Sequence, residues 1–73
     1  AIVAQVDNEL GFVILDKGAT DLVKKGFTFD VYNGGTYKGR VRVDQVHDQY
    51  STASIVVYGS DAISRLDTAT TRL

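Results

Sequence analysis

The chain has 73 residues, a net charge of −1, and neither Cys nor Pro. A domain of this length buries only about 60% of its unfolded surface. Without Cys it has no disulfide or thiolate-bound metal to add stability, which leaves association as the available staple. Near-neutrality argues against a strong attraction to nucleic acid or an anionic membrane. No apolar run approaches the roughly 18 residues of a membrane span, and no signal-peptide pattern is present. The sequence begins at Ala1 and contains no Met, the pattern of a processed or excised piece of a longer chain. Residues 1–73 form one small domain.

Ile2, Ala4 and Val6 alternate with Val3 and Gln5, which predicts a first strand. Asp7-Asn8-Glu9-Leu10-Gly11 is a turn by composition. Phe12-Val13-Ile14-Leu15 is an apolar run suited to a strand covered on both faces, closed by Asp16-Lys17-Gly18. Thr20 or Asp21 can cap a single helical turn that Gly26 ends, with Leu22 and Val23 plugging one mouth of a barrel. Phe27, Phe29 and Val31 then face one way, with Thr28, Asp30 and Tyr32 opposite.

Asn33-Gly34-Gly35-Thr36 is a strong hairpin signal. The next strand sets Gly39, Val41 and Val43 against Lys38, Arg40 and Arg42. A two-residue Gly34-Gly35 loop would put Val31 opposite Lys38 and mix the faces. An odd loop centred on Gly35 sets Val31 opposite Gly39, Phe29 opposite Val41 and Asp30 opposite Arg40, and is therefore preferred. Val46 breaks the alternation, so a bulge is expected near Asp44-Gln45. His47-Asp48-Gln49-Tyr50 makes the turn into a fifth strand of Ser51, Ala53, Ile55 and Val57 against Thr52, Ser54 and Val56. Tyr58-Gly59-Ser60-Asp61 is a loop, and Thr68–Thr71 a short closing strand. The fold class is all-β: a five- to six-stranded small barrel of SH3-like or OB-like kind with one short helical turn. Val13, Leu15, Val23, Phe29, Val31, Val41, Val43, Ala53 and Ile55 are its expected core.

The pattern G-x-V-x-L-D-x-G, D-x-V-x-x-G-x-x-F-x-V-Y, G-G-x-Y-x-G-R-V-x-V and S-x-A-x-I is carried by Gly11, Val13, Leu15, Gly18, Val23, Gly26, Phe29, Val31, Tyr32, Gly35, Gly39, Val41, Val43, Ser51, Ala53 and Ile55. It resembles the small C-terminal β-barrel domain of coiled-coil envelope-associated proteins of planctomycete-type bacteria. More distantly it is similar to the C-terminal domain of flagellar assembly protein T and the β domain of rod-shape-determining protein C. Two departures stand out: Leu22-Val23 where such domains often carry Gly-Val, and Leu66-Asp67 where they often carry Gly-Asp. The second leaves the path of the closing strand open. The resemblance implies a scaffold or interaction module of the cell envelope or an extracellular assembly, and brings no catalytic residue with it.

Candidate chemistry is sparse. His47, between Asp44 and Asp48, has no second histidine, no thiol and no evident nucleophile to join it, so a solvated turn histidine is the economical reading. Asp7-Asn8-Glu9 and Asp16 could hold calcium, but they lack the spacing of known loops, and turn and capping roles explain them. Gly34, Gly35 and Gly39 precede a strand, not a helix, and make no phosphate loop. No enzyme activity, cofactor or metal is expected.

Two surfaces remain. Tyr32, Tyr37, Lys38, Arg40 and Arg42 form a basic, partly aromatic face on which single-stranded nucleic acid or a glycan could bind, although Asp30 and Asp44 interleave with the cations. Apolar residues also occupy both faces of three strands. With Val13 and Leu15 inward, Val3, Phe12, Ile14 and Val56 become a candidate interface with other copies of the chain, or with another domain of a longer chain. A self-associating structural module is the first expectation, the ligand-binding barrel the alternative.

Overall fold

The computed structural model describes residues 1–71, which form six antiparallel strands: β1 (Val3–Asp7), β2 (Phe12–Leu15), β3 (Thr28–Asn33), β4 (Thr36–Val46), β5 (Ser51–Tyr58) and β6 (Thr68–Thr71). Their order in the sheet is β1-β2-β5-β4-β3-β6. The sheet curls into a half-barrel, and its outermost strands approach where Ile2 bridges Thr68. Around that bridge Val3 N–H donates to Asp67 and Leu66 N–H to Val3, while Ala1 and Ala69 exchange a pair of bonds. These bonds satisfy backbone groups that an open edge would leave to water.

All nine expected core residues are buried, joined by Val3, Ile63 and Ala69. The β3–β4 register is the expected one: Val31 opposite Gly39, Phe29 opposite Val41, Asp30 opposite Arg40. The device that produces it differs. The hairpin keeps the two-residue Gly34-Gly35 loop, pairing Asn33 with Thr36 and Tyr32 with Tyr37, and a bulge then absorbs Lys38. Gly39, just beyond, has φ +146°, and a Cβ there would lie 2.4 Å from the Val57 carbonyl oxygen. Only glycine lets β4 pass β5 so closely.

Bulges recur along the sheet. The one expected near Asp44-Gln45 is present between Val43 and Gln45, and another leaves Val56 as the extra residue of β5. A further one lies between Val3 and Gln5. It shifts the parity of β1, so Val3 is fully buried and Val6 also packs against the core. Val3 is therefore not part of an outward interface.

The helical turn is also displaced. It is a 3₁₀ turn over Ala19–Asp21, preceded by Gly18 and ended by Leu22 in the left-handed conformation, not by Gly26. Gly18 lets this turn close on the β4–β5 connection: a Cβ on it would meet the His47 carbonyl oxygen at 2.2 Å. Ala19 N–H donates to that same oxygen, and Thr20 N–H and Oγ1 to the Asp48 carbonyl. Val23 plugs the barrel mouth as expected, whereas Leu22 is 77% exposed. Leu22 (φ 66°) and Leu66 (φ 75°) are the non-glycine residues with positive φ among those described. A left-handed leucine costs on the order of 1 kcal/mol relative to glycine at the same position. From Leu66 the path of the closing strand is clear: β6 pairs with β3, Ala69 against Val31.

Phe29 reaches the core from the central register pair with Val41. Truncation there removes an aromatic ring that little around it can replace. We expect Phe29→Ala to cost about 3–5 kcal/mol, measured as a shift in the denaturant midpoint. A variant melting within a few degrees of the parent would show that the ring does not anchor the core.

Candidate functional site

The basic face is largely dismantled by the fold. The bulge turns Lys38 inward, where its side chain is 10% exposed and its Nζ lies 3.2 Å from Asp67 Oδ2. Arg40 Nε donates to Asp30 Oδ1 across the β3–β4 pair at 2.8 Å. Of the three expected surface cations, only Arg42 remains exposed with no ion pair among the described residues. Tyr32 and Tyr37 meet edge to face, centroids 5.4 Å apart. They occupy each other's rings more than they offer a flat stacking platform to a base. Lys38 as an outward ligand contact is corrected: alternation along β4 places it outside, and the bulge reverses that.

The group that receives Lys38 was not legible as a site residue. Asp67 is fully buried. Its Oδ1 accepts from Asn33 Nδ2 at 2.8 Å, and its Oδ2 from the Ser64 amide at 2.7 Å. Burial pushes the carboxyl up, but the Ser64 amide, the Asn33 side chain and the Lys38 ammonium together outweigh it and hold the carboxyl below its ordinary value. The arrangement is structural. It fastens the 59–67 loop to the β3–β4 hairpin, and all the visible hydrogen-bonding capacity of the carboxylate is spent on the protein itself.

The candidate acids and histidine have local partners too. Asp7 Oδ1 accepts from the amides of Glu9 and Leu10, shaping the β1–β2 turn, and Asp16 Oδ1 accepts from the Ile2 amide. Ser54 Oγ donates to Asp44. The exposed His47 ring stacks on Tyr50, centroids 4.3 Å apart. Among the described residues no three His, Cys, Asp or Glu side chains converge as a metal site would require.

The apolar candidates lie on the outer face. Phe12 sits between Asp7 of β1 and Ser54 of β5, and Ile14 between Gln5 and Thr52. Both are half-buried, whereas Val56 and Val57 on β5 are 43% and 42% exposed. Val57 is outward because the bulge at Val56 flips the alternation of β5. At the barrel mouth lies a second apolar feature, a groove of about 530 Å³. Val23, Phe27 and Phe29 form its floor beside Leu22, with Lys17, Asp21 and Lys24 as its charged lining. Leu22 and Val23 signalled this end of the barrel in the sequence, whereas the lysines lie in a segment with no periodicity.

The network predicts two outcomes. Lys38→Met leaves Asp67 buried without its cation and should cost about 3–5 kcal/mol by chemical denaturation. The folded carboxyl titrates below the ordinary unfolded value near 3.9. Its stabilisation is therefore complete above that pH and is lost as pH falls through the lowered folded value. Asp67→Asn should flatten the acid limb of a stability–pH profile; an unchanged limb would assign acid unfolding to other groups.

No protein-family model, curated protein or solved structure matches the chain, so geometry carries the functional reading.

Proposed function

We propose that this domain is a non-enzymatic structural module that self-associates through the outer face of β2 and β5. One observation carries the reading: Phe12 and Ile14 stand on the outer face of a sheet beside exposed Val56 and Val57. In a small sheet protein the outer face is ordinarily polar or covered by a helix. Among the described residues the helical content is a single 3₁₀ turn, whose hydrogen bonds go to the β4–β5 connection. Burying the four against a copy removes apolar surface at roughly 25 cal/mol per Å², the staple that a chain without disulfides lacks. The resemblance supports a cell-envelope or extracellular assembly as the setting of such a module.

The alternative ligand face is the weaker reading. Two of its three cations are committed to Asp67 and Asp30, and the rest of the stripe holds a single exposed arginine. Salt-dependent retention on an oligonucleotide, steep as counterion release requires, would restore it.

The double variant Phe12→Ser, Ile14→Ser should stay folded, with the circular dichroism of the parent, and fall to a lower mass by light scattering. Parent protein that remains monomeric at high concentration would remove the reading. Masking of this face by a different domain of a longer chain would then be the remaining explanation, visible as a lower exposure of Phe12 to hydrogen exchange or footprinting in that chain.

A further inference from the structure

The two ends of the half-barrel are complementary. At one end the β1–β2 turn projects Leu10, 76% exposed, with the exposed Glu9 beside it. This tip is held in shape from within: the Asp7 carboxylate accepts from both the Glu9 and Leu10 amides, and Gly11 N–H donates to the Asp7 carbonyl. The Asp7 charge is thus turned into the loop, and Glu9 is the carboxylate left to face outward. At the other end of β2 the chain passes through Lys17 into the groove floored by Val23, Phe27 and Phe29. Lys17 and Lys24 line it without an ion-pair partner among the described residues. The third charged residue there, Asp21, accepts from the Gly18 amide.

We infer that Leu10 of one copy docks in the barrel-mouth groove of the next, with Glu9 meeting Lys24 and Lys17. Charge and apolar character together favour this occupant. The groove offers an apolar floor and a surplus of cations, and the tip presents an apolar knob on a rigid turn beside an anion. Knob and groove lie toward opposite ends of β2, so copies set end to end in the same direction each give a knob to one neighbour and a groove to the other. The contact is head-to-tail and propagates into an open chain, whereas the β2–β5 face could pair copies side by side. The inference rests on the self-association reading and adds a second, longitudinal contact to it.

The test exploits the exposure of the charged groups, whose reversal leaves the core intact. The parent is expected to form a high-mass species by light scattering, and Glu9→Lys and Lys24→Glu proteins, each alone, place like charges at the contact and should lose it. Mixed, they restore opposite charges at every junction and should co-assemble into alternating chains. Carrying both in a Phe12→Ser, Ile14→Ser background isolates the longitudinal contact: recovery of mass on mixing supports the inference, and proteins that stay monomeric on mixing overturn it. Side-by-side pairing is read separately, in the Glu9→Lys protein with Phe12 and Ile14 intact. A residual dimer there supports the lateral contact, and a monomer there removes the lateral contact without touching the result of the mixing experiment. Leu10→Ser supplies the uncharged control. Unchanged chain growth in that variant would also overturn the inference, because the knob would then be dispensable.

Discussion

The Lys38–Asp67 pair is the interaction on which the rest of the domain depends. A single extra residue in β4 sends a lysine inward from a position that alternation would expose. The charge it brings would be costly in an apolar interior without a partner. Asp67 supplies one, and in doing so fixes where the loop from Gly59 must end. Asn33 and the Ser64 amide complete the carboxylate's bonds. Asp67 then delivers the chain into β6 at the point where its own carbonyl accepts from Val3. The hairpin, the loop, the last strand and the first strand are thereby tied to one polar knot. Ile63, buried within that loop, adds the apolar half of the same fastening.

Much of this architecture could be read from residue order, because period-two alternation is a strong signal wherever a strand runs unbroken. Phe29, Val31, Val41 and Val43 were placed by parity alone, and the β3–β4 register followed from matching their faces. Parity fails where a residue is inserted, and the sheet contains several such places. The bulge before Gln5 hides Val3, the one at Lys38 hides an ion pair, and the one at Val56 turns Val57 outward. Only the bulge at Asp44 announced itself, because Val46 beyond it is conspicuously apolar. The others lie where both readings of the strand are chemically acceptable. Ile63 and Asp67 were invisible for a different reason: they sit in an irregular loop, where burial is decided by long-range packing and leaves no period.

The same contrast separates the two candidate surfaces. Apolar side chains on the outer face of β2 could be found in the sequence, since four consecutive apolar residues must place two on each side. The basic face could not be judged that way. Register alone set Asp30 opposite Arg40, but the partner of Lys38 comes from the distant 59–67 loop, and Arg42 has no ion pair among the described residues. Composition counts charges; only the fold says which of them are already spent.

Closure joins the extremes of the described chain: Ala1 and Ala69, 68 residues apart in sequence, share hydrogen bonds. The β1–β2, β3–β4 and β4–β5 pairs are by contrast hairpins that can form from neighbouring segments. Loop-closure entropy therefore falls most heavily on the β1–β6 meeting, and proteins with such non-local pairings fold at the slow end of their size class. The corresponding native-state fluctuation is a transient parting at the Ile2–Thr68 bridge, where the amides of Val3 and Ala69 would open to solvent ahead of the global transition. While parted, the two terminal strands present unsatisfied edges, so the kinetic barrier to closing also sets how long the domain is exposed to mispairing during synthesis.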